Sequence, residues 1–89
     1  MVITCVCGMG MGSSLIAKMN IESILSEAGI EATVDNCDLG SVSSKDSDWY
    51  VTTRELADNM PESAAGKTIV LPNFISVEAI REELMKYLG

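Results

Sequence analysis

Apolar positions along the chain fall into short blocks separated by glycine, proline and polar clusters. Residues 1–6 are β-compatible and mostly apolar, and they run into Gly8-Met9-Gly10-Met11-Gly12, so a strand is expected to end at a glycine-rich loop. A helix is expected from Ser13 or Ser14, with a serine as its cap. Ile21, Ile24, Leu25 and Ala28 follow the i, i+3, i+4, i+7 pattern of one helical face. Gly29 is a natural stop.

A second strand is expected at 30–36 and a third at 48–52, around Trp49, Tyr50 and Val51, with a polar loop between them. Thr52 and Glu55 have the spacing of a capping box, and the short helix it opens should end before Pro61. Residues 67–71 form a fourth strand, which Pro72-Asn73 breaks. Ser76 caps a last helix whose apolar face is Val77, Ile80, Leu84 and Leu88. The order β-α-β-β-α-β-α predicts an α/β fold: a four-stranded, mainly parallel sheet with helices on both faces, a Rossmann-like three-layer α/β/α arrangement.

Length and charge narrow what this fold can do. Eighty-nine residues support one compact domain, 1–89, with a modest core, so a large substrate pocket would have to be shared with a partner. A net charge of −7 argues against a nucleic-acid partner. No apolar run is long enough to span a bilayer, and without a basic stretch followed by a long apolar core at the N-terminus a secretory signal is not expected. Direct membrane insertion is not expected, and the cytoplasm is the expected location.

The chain contains no histidine, which removes the usual general base, the commonest metal ligand and any phosphohistidine of its own. No metal site and no cofactor are expected. Cys5, Cys7 and Cys37 are an odd set suited to a reducing compartment, and they read as thiols. Cys5 and Cys7, one residue apart at a strand end, are expected to face opposite ways and not to act as a pair. Cys5 and Cys37 read as structural.

In a parallel sheet, ligands collect at the carboxyl ends of the strands. The first strand–helix turn there is Cys7-Gly8-Met9-Gly10-Met11-Gly12-Ser13-Ser14. Its glycines let several backbone N–H groups converge on an anion ahead of a helix, and the same field favours a thiolate. The hydroxyls of Ser13 and Ser14 serve either as caps or as phosphate contacts. Met9 and Met11 either pack inward or form an adaptable apolar rim.

Cysteine, five-residue loop and helix also build small protein-tyrosine phosphatases, where an arginine after the loop grips phosphate. Here that position is Ser13, so hydrolysis of a thiophosphate should be slow. A small cysteine-dependent phosphatase or arsenate-reductase-like enzyme is the alternative reading. A dinucleotide-binding fingerprint lacks its third glycine, at Ser13, and a P-loop would need Gly-Lys-Ser/Thr, which is absent. A redox or metal module lacks the Cys-x-x-Cys spacing.

The stretch from Cys7 through Ser14 to Lys18-Met19 resembles the phosphocysteine loop and first helix of enzyme IIB of the bacterial sugar phosphotransferase system (PTS). Within it, Cys-Gly-x-Gly-x-Gly-Ser-Ser and the Lys-Met pair are most similar to the ascorbate-type members of the ascorbate/galactitol branch. The resemblance implies a phosphotransferase. Cys7 would accept a phosphoryl group from the phosphohistidine of an enzyme IIA and deliver it to a sugar or sugar-like substrate, ascorbate by this similarity. A membrane enzyme IIC would hold that substrate during uptake. Gly8, Met9, Gly10, Met11, Gly12 and Ser13 would cradle the anion through their backbone, with Ser13 and Ser14 adding hydroxyls.

Overall fold

The computed structural model describes residues 1–7 and 11–88, with the backbone alone at 11–14 and 65. Strand β1 is Val2–Cys7, helix α1 Met11–Ala28 and strand β2 Thr33–Asp38. A 3₁₀ helix at Leu39–Ser44 leads to β3, Trp49–Thr53. Two short helices follow, α2 at Arg54–Ala57 and α3 at Glu62–Ala65, and then β4, Thr68–Leu71, and α4, Val77–Leu88.

The helix stops are chemical. Gly29 takes φ +73°, its N–H donates to the Ser26 carbonyl (3.2 Å), and the Ile30 N–H donates to the Leu25 carbonyl (2.9 Å). That pair of bonds is a Schellman ending, and both Leu25 and Ile30 pack into the core behind it. Because the motif occupies the chain through Ile30, β2 starts at Thr33 rather than at residue 30.

All four strands are parallel, in the order β2-β1-β3-β4. β1 pairs with β2 from Val2↔Thr33 to Cys7↔Asp38, and with β3 from Ile3↔Trp49 to Cys5↔Val51. The chain passes outward from β1 to β2 and then returns across β1 to β3. The order therefore reverses between β1 and β3, where an open parallel sheet leaves a crevice at its carboxyl edge.

The two faces are covered unequally. One carries Ile3, Val51, Ile69 and Leu71 against Ile21 and Ile24 of α1 and Ile80 and Leu84 of α4, all at most 1% exposed. The other carries Val6, Cys37 and Tyr50 under Val42 of the 3₁₀ helix and Ala64 of α3. The Thr4 and Ser47 hydroxyls hydrogen-bond each other, and Tyr50 donates to the Lys45 carbonyl (2.9 Å) while accepting the Ser47 N–H (3.2 Å). The sheet is thus parallel throughout, with helical cover on both faces, as the element pattern predicted.

Several local expectations change. α1 begins at Met11, so Ser13 and Ser14 lie inside its first turn and the cap position falls at residue 10, outside the described residues. The capping box does not form. Thr52 is a buried strand residue whose hydroxyl donates to the Val6 carbonyl (3.2 Å), and the cap position of α2 is Thr53, without a side-chain cap bond. Ala28 and Val77 are exposed at the ends of their helices, while Met85 and Leu88 pack beside Leu84 at the core margin. Ser76 does cap α4, accepting the Ala79 N–H at 3.4 Å.

Candidate functional site

Cys7 is the last residue of β1, at the carboxyl edge where the strand order reverses. It is 4% exposed and sits on the face covered by α1 and α4. Gly8, Met9 and Gly10 lie outside the described residues. Met11, Gly12, Ser13 and Ser14 supply the first turn of α1, and the first four N–H groups of an α-helix have no partner within it. An 18-residue helix thus begins four positions after the thiol, with its positive end toward the edge that Cys7 reaches.

The expectation that Cys5 and Cys7 face opposite ways is overturned. Side chains two apart on a strand share a face, and both cysteines enter the same core cluster with Ile3. What separates them is their position along the strand. Cys5 is 0% exposed, and burial pushes its thiol up to about 12, with Cys37 adding to the effect and Lys18 opposing it. Cys37 lies on the opposite face, where burial again raises its thiol, opposed by Lys45 and reinforced by Asp38. All three cysteines are buried thiols. Among the described residues, no cluster of histidine, cysteine, aspartate or glutamate side chains is placed to hold a metal ion.

The residues beside the β1–β3 reversal were not singled out by the sequence. Thr53 ends β3, and Arg54 opens α2. Both line a groove of about 690 Å³ with Ile16 of α1, Glu55, Asp58 and the 72–75 turn. The Asn73 carboxamide oxygen accepts the N–H groups of Ile75 (2.9 Å) and Ser76 (2.7 Å), which fixes that turn. Asn20 of α1 donates to the Phe74 carbonyl (3.1 Å), tying the turn to the helix. In this groove Ile16 is 48% and Ile75 77% exposed, and on the same helix Leu15 and Met19 are 51% and 61% exposed. An apolar rim of this kind beside a reactive edge is a surface for contact with another molecule. Its sequence signal was an α1 whose first half carries apolar residues around more than one face.

A parallel α/β sheet with a cysteine at its switch point and a long helix following it defines a class of doubly wound proteins whose ligands bind at the carboxyl edge of the sheet. A sequence model for "PTS system, Lactose/Cellobiose specific IIB subunit" matches residues 2–86. The chain belongs to this family of IIB subunits, phosphotransferase components of the sugar phosphotransferase system. It is 28% identical over 88 residues to the "Ascorbate-specific PTS system EIIB component" of Shigella dysenteriae, covering 97% of this chain and 87% of that one. The protein of the same name from Mycoplasma pneumoniae is 27% identical over 84 residues, covering 92% and 88%. The resemblance first carried by the Cys7 loop therefore extends over nearly the whole chain. Among the described residues no helix is long and apolar enough to cross a membrane.

Proposed function

We propose that residues 1–89 form one IIB domain in which Cys7 carries a phosphoryl group between an enzyme IIA and a substrate held by a membrane enzyme IIC, all on the cytoplasmic side. In the first step the Cys7 sulfur forms a bond to phosphorus as the phosphorus–nitrogen bond of the donor phosphohistidine breaks. The nitrogen keeps that electron pair, and the thiol proton ends on the released imidazole. In the second, a substrate hydroxyl oxygen attacks phosphorus, the electron pair of the sulfur–phosphorus bond returns to sulfur, and the hydroxyl proton restores the thiol.

The observation that carries this reading is the placement of Cys7 at the end of β1, at the strand-order reversal and directly before the glycine-rich loop and α1. The backbone N–H groups of Gly8, Met9, Gly10, Met11, Gly12 and Ser13 form the anion cradle, with hydroxyl contacts from Ser13 and Ser14. A dianionic thiophosphate is favoured there by the helix terminus. The apolar rim of Leu15, Ile16, Met19 and Ile75 supplies a docking surface beside the reacting sulfur. The names of the curated relatives make ascorbate the substrate to try first.

The test is intact-mass measurement after incubation with a phosphorylated enzyme IIA, alongside Cys7→Ser. The expected result is a gain of one phosphoryl mass in the parent and none in the variant. Steady hydrolysis of a small aryl phosphate, without any stable mass gain, would move the assignment to a cysteine-dependent phosphatase.

A further inference from the structure

β1 and β3 flank the reversal. β1 ends in Cys7, and β3 ends in Thr53 with Arg54 immediately after it. The paired register ends at Cys5↔Val51, and two residues further along each strand stand Cys7 and Thr53. The Thr52 hydroxyl bond to the Val6 carbonyl holds the two strands together at the intervening step. Neighbouring strands lie about 4.8 Å apart, a gap that one long side chain can span.

Of the other five cations, three are in ion pairs and two lie away from the carboxyl end of β1. Lys45, Arg81 and Lys86 pair with Asp35, Glu27 and Glu83. Lys67 precedes β4 at the opposite edge of the sheet, and Lys18 lies along α1 toward Cys5 and Asp35. Arg54 lies at the carboxyl edge, lines the groove next to the reversal, and has no ion pair among the described residues. Glu55 and Asp58 line the same groove without a salt bridge to Arg54, which leaves its guanidinium available to a more highly charged anion.

We propose that Arg54 reaches across the β1–β3 crevice and grips the phosphoryl group while it is bonded to Cys7. This role rests on the carrier reading above. Guanidinium is suited to it because its planar fork donates two parallel N–H bonds to phosphate oxygens and stays protonated throughout both transfers. It takes over, from the neighbouring strand, the task that an arginine at position 13 would perform in a phosphatase loop. Arg54 binds the transferred group without adding a base or an acid, so it strengthens binding and transfer and leaves no proton shuttle for hydrolysis.

The experiment compares the parent chain with Arg54→Gln, Arg54→Lys and Cys7→Ser, each loaded by phosphorylated enzyme IIA and followed by time-resolved intact mass. In parallel, the NMR signal of the Arg54 Nε–H is recorded before and after loading. Arg54→Gln is expected to slow phosphoryl gain about 10- to 100-fold, with Arg54→Lys recovering part of the loss. The denaturant midpoint should stay at the parental value, and the Nε–H signal should shift on loading of the parent and stay put in Cys7→Ser. Loading of Arg54→Gln at the parental rate would overturn the role, as would slowed loading with an Nε–H signal that loading leaves unmoved, since that pattern belongs to partner docking. A parent chain that gains no phosphoryl mass at all would instead refute the carrier reading beneath it.

Discussion

The two faces of the sheet are built from the same four strands and solve different problems. Under α1 and α4 the contacts are almost wholly apolar, and Ile3, Ile21, Ile69, Ile80 and Leu84 are sealed at 0% exposure. Under the 3₁₀ helix and α3 the cover is short, and buried hydroxyls at Thr4, Ser47 and Thr52 are each satisfied by a hydrogen bond. Burial of apolar area supplies most of the favourable term in folding, whereas each satisfied hydroxyl contributes only about 1 kcal/mol net. The thick face therefore provides the stability, and the thin face fixes how β1 and β3 sit against each other. Cys7 lies on the thick face, at the carboxyl end of β1.

The sharpest way to break this comparison is to cut one buried side chain on each face. Ile21→Ala should cost about 3 to 4 kcal/mol, because its site is closed on all sides and collapses poorly. Val42→Ala, on the thin face, should cost about 2 kcal/mol. Denaturant midpoints at a common slope give both values, and equal losses would show that the faces contribute alike.

Alkaline unfolding sharpens the contrast between the two cysteines of β1. A thiol whose folded value is raised holds its proton better in the folded chain, so its contribution to stability is complete below the ordinary thiol value of ~8.5. That contribution is lost as pH climbs toward about 12, the folded value of Cys5. The parent should lose stability steadily over that range, and Cys5→Ala should show a flatter limb when unfolding midpoints are compared at pH values across it.

The smallest effect is expected at Asp35, on the exposed rim of the thin face. The Asn36 backbone N–H and then Lys45 hold its carboxyl below the usual range. A depressed carboxyl contributes stability above its unfolded value, lost as pH falls through the lower folded one. The ion pair is partly exposed on both sides, so solvent screens it and Asp35→Asn should only slightly flatten the acid limb of the stability curve.

Much of the architecture was legible because runs such as 68–71 and the Ile21, Ile24, Leu25 face have the period of their element. The misses have separate causes. Leu39–Ser44 read as a polar loop, since only Leu39 and Val42 in it are apolar, yet Val42 is 1% exposed beneath the sheet. α3 was hidden behind Pro61, which stands at its cap position and looked like a terminator. Thr52 offered a capping signal on sequence spacing but is spent on a tertiary hydrogen bond. Cys7 and its loop stood out through composition, whereas the groove formed by Thr53, Arg54, Ile16 and the 72–75 turn arises only from the tertiary arrangement, which no local pattern states.

The central claim is that the phosphoryl group is carried on sulfur. Phosphorus NMR of the chain loaded by phosphorylated enzyme IIA reads the bonding partner of phosphorus directly. A thiophosphate resonance is expected that is absent in Cys7→Ser and disappears from the parent when membranes containing enzyme IIC and ascorbate are added. A phosphoester or acyl-phosphate resonance that persists in Cys7→Ser would contradict it.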